Sequence, residues 1–417
     1  MRMATDSSSN LMSALDLASP MDIDLDSPLD TNPPPQPDPA STVNKSDIAH
    51  LVAEYGSSSA TAWLEFDRYK IWCPTEPIPE SSFVPVQGYM RRDPYVFAWG
   101  NPLVSDPAAL LPTALAFCRW VESQGLRPIW SCVDQELQHV LAEPPFKWSV
   151  VHCIYEDVVD PAHIVELTAP EMVGKKHGAS VVKDLKKNLK RAEKAAVHVT
   201  EVKDGQMSEE DKLAIDLGIL HWKKSRSGVQ LASTTMQPWL DSSHRRYWVA
   251  RKDNKVVGFL ILTPIQRCSW QIKNAVSFPE APRGTSESLI YTALVDLYNE
   301  RCDPDRCPSP ERGHSRNSST GSTMSNGSGR GNGHPHRVTV TFGISASDDM
   351  EAVENLSGWK VTLLSSIYNK VALAAGLLKR GEFRRKFDSE HEPMYVCYPQ
   401  DGFGLDGVNA LLKLLRK

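Results

Sequence analysis

The sequence predicts an α/β fold made of two successive units, each a mixed, mostly antiparallel sheet covered by helices. Three observations predict it. Short apolar runs rich in β-branched and aromatic residues alternate with helical patterns, a hairpin pattern lies in the second half, and a similar order of elements occurs in both halves. The 417 residues, of which 41% are hydrophobic, are enough for two to three domains of ordinary size.

Composition indicates where the folded part of the chain begins and where it is interrupted. Residues 1–45 are acidic and rich in Ser and Pro, so we expect a disordered tail. Residues 303–337 are dominated by Ser, Gly, Asn, Arg and His, so we expect a disordered insertion within a loop, of a kind commoner in eukaryotic chains. We therefore place two domains at 46–204 and 205–417.

Hydropathy and cysteine content argue against several classes of protein. No stretch approaches the roughly 18–20 consecutive apolar residues that a membrane span needs, and no signal peptide is evident. The eight cysteines are scattered and form no CxxC pair. We therefore expect reduced thiols, no metal site and a cytoplasmic protein.

In the first half, strand patterns alternate with helix patterns. Tyr95–Trp99 is typical of a strand, and Asp106 can cap a helix that Gly125 ends. Arg127–Val133 and Trp148–Tyr155 are again typical of strands.

The second half has a more regular order of predicted elements. A helix containing Leu213 and Leu217 precedes a hairpin with strands at 246–251 and 256–262. The sequence then predicts a strand at 270–276, a helix at 286–300 and a strand at 338–342. Helix, antiparallel hairpin, strand, helix, strand is the order of a GNAT-type acyltransferase domain, and the first half is similar to a looser copy of it.

A basic amphipathic helix is predicted in the middle of the chain, over 179–196. Its apolar stripe contains Val182, Leu185, Leu189, Ala192 and Ala196. The opposite stripe carries six cations: Lys183, Lys186, Lys187, Lys190, Arg191 and Lys194. Because the whole chain has a net charge of -5, this row is a local feature, and it suits a polyanion such as RNA, DNA or an anionic membrane. The alternative is a solvated helix face.

The glycine turn that holds coenzyme pyrophosphate in GNAT acetyltransferases has no counterpart at the expected place. Gly327–Gly333 is glycine-rich but lies in the insertion and follows no predicted strand. At the equivalent helix start, Phe278–Ile290 instead resembles the P-x-A-P-N-G-x-x-x-x-L motif of the C-terminal domain of bacterial phosphatidylglycerol lysyltransferases.

Further segments carry the same resemblance in the same order. They are Tyr95–Pro102, Lys187–Ala192, Val256–Phe259, and Glu382–Phe387 with Pro393–Tyr395, the last two resembling the closing motif F-K-x-K-F-x-P-x-W-x-P-x-Y. Two departures stand out. Arg283 occupies the usual Asn position, and the closing motif lacks its Pro and Trp, with His391 near the place of the Trp.

This resemblance implies transfer of an aminoacyl group from an aminoacyl-tRNA to a lipid hydroxyl. The bacterial branch of the family modifies phosphatidylglycerol. A similar fungal branch modifies ergosterol, either fused to an aspartyl-tRNA synthetase or free-standing, and the free-standing form is associated with glycine. With no room for a synthetase and no flippase helices, this chain looks most like the free-standing type. The implied reaction is glycyl transfer to the 3β-hydroxyl of ergosterol, with aspartate and alanine left open as alternatives.

The partners follow from the same resemblance. We expect the acceptor end of the tRNA as co-substrate, a sterol or phospholipid acceptor, an aminoacyl-tRNA synthetase acting in trans, and no cofactor. We also expect peripheral contact with membranes or lipid droplets.

The candidate catalytic residues are Arg283, Glu287 and Lys386. Arg283 and Glu287 flank a helix start, where a carboxylate can accept a hydroxyl proton or hold an α-ammonium group; the alternative is a cap or an ion pair. Lys386 matches the family's Lys and would meet the terminal phosphate or the oxyanion, unless it lies on a surface hairpin. Candidate tRNA contacts are the six cations of the helix with Lys379 and Arg384, and candidate pocket residues are Tyr368, Asn369 and Tyr395.

Three other functions remain open at this point. One is aminoacylation of phosphatidylglycerol. The second is an acyl-CoA-dependent N-acetyltransferase, against which the missing pyrophosphate turn argues. The third is a non-catalytic RNA-binding protein that kept the fold.

Overall fold

Eleven strands of the described chain form one continuous sheet. They are β1 Lys70–Trp72, β2 Gln87–Arg92, β3 Tyr95–Trp99, β4 Arg127–Val133, β5 Ser149–Val159, β6 His198–Val202, β7 Arg246–Lys252, β8 Lys255–Pro264, β9 Ser269–Ser277, β10 Thr339–Glu354 and β11 Glu390–Tyr398. Their order across the sheet is β1-β2-β3-β4-β11-β5-β10-β9-β8-β7-β6. β3 pairs parallel with β4, as β9 does with β10, and the other neighbours pair antiparallel.

This computed structural model describes residues 44–170, 181–203, 206–225, 237–300, 338–356, 365, 368, 383–400 and 404–415. The expected insertion, Lys379, Asn369 and nearly all of the expected N-terminal tail lie outside the described residues. Within them, no helix is long and apolar enough to cross a membrane.

Helices cover both faces of the sheet. They are α1 Ala49–Tyr55, α2 Thr61–Glu65, α3 Leu110–Ser123, α4 Gln135–Ala142, α5 Pro161–Thr168, α6 Lys183–Lys194, α7 Glu209–Lys224, α8 Thr285–Asn299 and α9 Leu405–Leu415. Along β7, Trp248 packs with α6 and α8 whereas Tyr247 packs with α7, because successive side chains of a strand point to opposite faces. This mixed α/β architecture confirms the predicted fold class.

Local signals read from the sequence explain several element boundaries. The Asp106 side chain accepts a hydrogen bond from the Ala108 amide at the turn leading into α3, and Asp134 caps α4. The predicted hairpin is β7–β8, whose two turn residues, Asp253 and Asn254, both have positive φ, as this tight turn type requires.

Strands from the two halves of the chain interleave within the sheet. β11, from the C-terminal half of the chain, lies between β4 and β5, and β5, from the N-terminal half, pairs with β10. The described residues from 44 onward form one compact unit with no break in the sheet. The domain boundary between residues 204 and 205 therefore stays a prediction. It rests on the similar order of elements predicted in the two halves of the sequence.

A buried cluster of charges ties α2 to the second half. Arg245 donates to a Glu65 carboxylate oxygen at 2.5 Å, and Lys273 Nζ lies 3.4 Å from the other oxygen. Lys273 also donates to Thr61 Oγ1 at 2.9 Å. Because all three ionic side chains are nearly inaccessible to water, burial lowers the pKa of Lys273, and the shared carboxylate compensates the two cations.

One expectation about cysteines is wrong. Five described cysteines are free thiols, but Cys268 is disulfide-bonded. Cys268 lies in the turn between β8 and β9 with φ 63°, and its carbonyl accepts from the Thr339 amide at the start of β10. This turn therefore lies beside residue 339, just after the predicted insertion ends. The scattered positions of the cysteines in the sequence do not indicate this contact.

The basic helix is α6, and it packs against the start of α8. Val182, Leu185 and Ala192 are buried and Leu189 is partly buried, as predicted. Ala196 differs, because it follows the helix end in a left-handed conformation and is exposed. Gly284 caps α8 with φ 95°, and a Cβ placed there would lie 2.1 Å from the Asn188 carbonyl oxygen. The close approach of α6 to α8 therefore requires glycine at this position.

We expect Gly284→Ala to destabilise the fold by about 3 kcal/mol or more, because left-handed strain adds to a backbone overlap. Gly125→Ala is the matched control, since Gly125 also has positive φ (72°) but nothing within 4 Å of the added Cβ. It should cost about 1–2 kcal/mol. Chemical denaturation of both variants measures the difference in unfolding free energy. Equal losses would show that the close contact between α6 and α8 does not require glycine at position 284.

Candidate functional site

Three elements converge on the Glu287 carboxylate in the first turn of α8. Its Oε1 accepts from Asn188 Nδ2 of α6 at 2.9 Å and from Lys386 Nζ at 2.7 Å. Lys386 lies in the short 3-10 helix Arg385–Phe387 that precedes β11. Glu287 is buried, and the dipole of α8 favours an anion at this end of the helix. The structure thus brings together Glu287 and Lys386, two of the three predicted catalytic residues.

Lys386 is a cation at the boundary between the core and solvent. Its side chain is 28% exposed, and its Nζ lies 4.9 Å from the centre of the Phe383 ring. A lysine in this position is held by one carboxylate and one aromatic face, and it retains donors for a further anion.

Arg283 does not join this cluster. It precedes the cap residue of α8 and is exposed. Among the described residues it makes no hydrogen bond or ion pair with Glu287, whose described partners are Asn188 and Lys386. The alternative of an ion pair between Arg283 and Glu287 is therefore not observed. Glu287 is instead contacted from α6 and from the segment before β11.

The cationic row of α6 faces solvent beside the Glu287 cluster. Lys186 is half-buried, and the other five cations are exposed: Lys183, Lys187, Lys190, Arg191 and Lys194. Arg191 donates to Asn188 Oδ1 at 3.0 Å, while the amide nitrogen of the same Asn188 side chain donates to Glu287. One asparagine therefore links the exposed row to the buried carboxylate.

Arg384, predicted as a tRNA contact, has a different environment. Its side chain is 10% exposed, and its guanidinium pairs with Asp157 at 2.5 Å. It also donates to the Phe342, Gly343 and Ile344 carbonyls of β10. This arginine joins β5 to β10 and presents little charge to solvent, so the prediction of an RNA contact for it has to be revised.

Asp157 also accepts from His391, a residue that the sequence marked only as a departure from the Trp of the closing motif. His391 Nδ1 lies 2.6 Å from Asp157 Oδ1, and its ring lies 5.2 Å from the Tyr155 ring, centre to centre. Asp157 is fully buried on β5, and the Ser345 hydroxyl also donates to it. Nothing local in the sequence around Asp157 indicates this role, because its partners lie far along the chain.

The two described residues of the predicted substrate pocket are both engaged in the fold. Tyr395 is buried among the apolar side chains around Trp130 and Phe117, and burial raises its pKa. The Tyr368 hydroxyl lies 2.7 Å from both the Cys153 and the Ser347 carbonyl oxygens. Both tyrosines therefore have packing or backbone roles, which differs from the prediction of free pocket groups.

Metal ligands do not cluster in the part of the chain that the structure describes. No group of three or more His, Cys, Asp or Glu side chains there is arranged to hold a metal ion. The Glu287 cluster itself offers a carboxylate, an ammonium group and the dipole of the α8 N-terminus.

Comparisons with known proteins identify the fold. No protein-family profile and no curated protein matches the sequence. One similar structure is the C-terminal domain of a putative lysylphosphatidylglycerol synthetase from Agrobacterium fabrum, 16% identical, with 89% of this chain and 98% of the other covered at a TM-score of 0.59. Another is L-PGS from Bacillus licheniformis, 12% identical, with 89% and 95% covered at a TM-score of 0.60. This chain therefore has the fold of these two proteins over nearly all of their length.

Proposed function

We propose that this chain transfers an aminoacyl group from an aminoacyl-tRNA to a lipid hydroxyl by transesterification. One observation supports it above all: Asn188 connects an exposed row of cations to a buried carboxylate–ammonium pair. A nucleic acid end and a small charged group could thus be bound side by side. The shared fold with a putative lysylphosphatidylglycerol synthetase domain adds independent support.

The α6 cations suit the acceptor end of a tRNA. Lys and Arg contacts to phosphate give affinity without reading sequence, and they make binding strongly dependent on salt. Because the row lies on one rigid helix, it would orient the tRNA relative to Glu287 without a further moving part.

Glu287 and Lys386 suit the two ends of the reacting aminoacyl ester. The carboxylate would hold the α-ammonium group of the amino acid. The ammonium group of Lys386 would stabilise the terminal phosphate or the oxyanion of the tetrahedral intermediate. Positioning of the two substrates would supply much of the remaining rate enhancement.

Acyl-CoA chemistry fits this helix start poorly. A pyrophosphate would have to approach the N-terminus of α8, where the Glu287 carboxylate repels it and the Asn188 carbonyl oxygen lies against Gly284. These contacts favour the aminoacyl-tRNA donor over acetyl-CoA.

The lipid acceptor has two candidates. One structural neighbour is a domain of a putative lysylphosphatidylglycerol synthetase, which favours phosphatidylglycerol as the acceptor. Ergosterol and a glycyl group are favoured only by the sequence resemblance to the free-standing fungal type. Phosphatidylglycerol is therefore the first acceptor to test, with ergosterol beside it.

We expect the purified chain to form an aminoacyl lipid when it is mixed with a charged tRNA pool and vesicles containing phosphatidylglycerol or ergosterol. Charging the tRNA pool with one labelled amino acid at a time identifies the amino acid that is transferred. Chromatography of the lipid extract identifies the acceptor. RNase treatment of the donor before mixing should abolish the product. Product that persists after this treatment would exclude aminoacyl-tRNA as the donor.

Removing two cations from the row should weaken tRNA binding. For Lys187→Ala with Lys190→Ala we expect the KM for aminoacyl-tRNA to rise about tenfold at moderate salt, with a smaller dependence on salt concentration. The matched control is Lys223→Ala with Lys224→Ala, since these lysines are exposed on α7 across the sheet. Equal effects of the two pairs would indicate that only net charge matters.

Glu287→Gln keeps the shape of the side chain and removes its charge. We expect kcat/KM for aminoacyl-tRNA to fall about 10- to 100-fold, as when a charge-assisted hydrogen bond of about 1.5–3 kcal/mol is lost. Steady-state kinetics measures it, with the unfolding midpoint as a control for folding. Unchanged kcat/KM would show that Glu287 takes no part in the reaction.

A further inference from the structure

His391 and Asp157 form a dyad that the Glu287–Lys386 cluster does not include. The His391 ring nitrogen Nδ1 lies 2.6 Å from Asp157 Oδ1, and the Asp157 carboxylate is fully buried. The other carboxylate oxygen, Oδ2, accepts from the Arg384 guanidinium and from the Ser345 hydroxyl. With these partners Asp157 is an anion in fixed orientation, so the neutral His391 ring carries its proton on Nδ1.

The opposite nitrogen of this ring is left as a base. With the proton on Nδ1, Nε2 has a lone pair, and no hydrogen-bond partner for it lies among the described residues. The His391 side chain is 42% exposed, and the Tyr155 ring at 5.2 Å limits its movement on one side. The ring is therefore oriented from the protein side and accessible from the solvent side.

Two other His–Asp pairs of the described chain have carboxylates that are more exposed than Asp157. His163 pairs with Asp388 at 2.8 Å, but that carboxylate is 37% exposed. His244 pairs with Asp241 at 2.6 Å within one turn of chain, and that carboxylate is 13% exposed. Of these three carboxylates, Asp157 alone is fully enclosed and held by an arginine. A surface ion pair does not need such a support, whereas an oriented base does.

The dyad and the Glu287 cluster draw residues from the same short segment of the chain. Arg384, which holds Asp157, lies two residues before Lys386, and His391 follows Lys386 by five residues. Five residues span at most about 18 Å even when fully extended. The same segment therefore places an ammonium group at Glu287 and an imidazole at Asp157.

We propose that His391 is the general base that accepts the proton of the lipid hydroxyl. This rests on the proposed aminoacyl transfer. As the hydroxyl oxygen forms a bond to the ester carbonyl carbon, its proton passes to His391 Nε2. When the tetrahedral intermediate collapses, the bond from carbon to the ribose oxygen of the tRNA breaks, and Nε2 returns the proton to that oxygen. Asp157 stabilises the imidazolium between the two steps, and no further reactant is required.

The kinetic test compares two histidine variants in the full chain. We expect His391→Gln to lower kcat about 10²- to 10⁴-fold, with KM for aminoacyl-tRNA changed less than threefold. His244→Gln is the matched control, because the His244 ring has a similar exposure to that of His391. Its Nδ1 also makes the same 2.6 Å contact with a carboxylate oxygen. It should leave kcat within twofold. If the wild-type chain is active and His391→Gln keeps kcat within threefold, His391 is not the base. The proposed aminoacyl transfer then still stands.

Rescue distinguishes a base from a structural ring. In His391→Ala, free imidazole should restore part of the lost rate, because a base can then diffuse into the vacated space. A loss of rate that imidazole does not restore, together with a lowered unfolding midpoint, assigns the ring a structural role and overturns the proposal.

A measurement without substrates separates this inference from the proposed function. Nitrogen-15 NMR of histidine-labelled chain, with His391 assigned by its loss in His391→Gln, should show the neutral ring protonated on Nδ1. A ring protonated on Nε2 overturns the proposal whatever the activity. A wild-type chain that makes no aminoacyl lipid with any donor overturns the proposed function, and with it the lipid hydroxyl as the group His391 serves.

Discussion

The ion pair between Asp157 and Arg384 is the constraint on which the centre of the molecule depends. A fully buried carboxylate is stable only when its charge is compensated and its lone pairs are bonded, and Arg384, Ser345 and His391 meet this need together. Arg384 in turn bonds three successive carbonyls of β10. Removing one partner of such a pair commonly costs about 3–5 kcal/mol, so β5, β10 and the segment before β11 are held in one arrangement.

This arrangement explains why polar chemistry is concentrated at the junction of the two halves. The first half brings Asp157 on β5, and the second half brings Arg384, Lys386 and His391 on one short segment. A second buried group of charges, around Glu65, joins α2 to β9 elsewhere in the sheet. Charged side chains at both places join elements from the two halves, so the relative position of the halves is specified by directional contacts as well as by apolar packing.

Features that depend on local periodicity could be predicted from the sequence. The stripe of α6, the β7–β8 hairpin and the cap at Asp106 each follow from residues close together in the chain. Contacts between distant residues could not be predicted in the same way. Arg384 and Asp157 are 227 positions apart, and His391 and Asp157 are 234 apart. An arginine in a basic run has the same local pattern whether it faces solvent or a buried carboxylate.

The position of β11 has a consequence for the order in which the protein can fold. β4 and β5 are made early, yet each needs β11, which begins at residue 390, as its neighbour. Until that late segment has been synthesised, both strands expose edges capable of pairing with other chains. Pairing across such a long separation is also intrinsically slow. The nascent chain therefore lacks the partner of these two strand edges through most of its translation, and a fragment ending before β11 would lack the strand that joins β4 to β5.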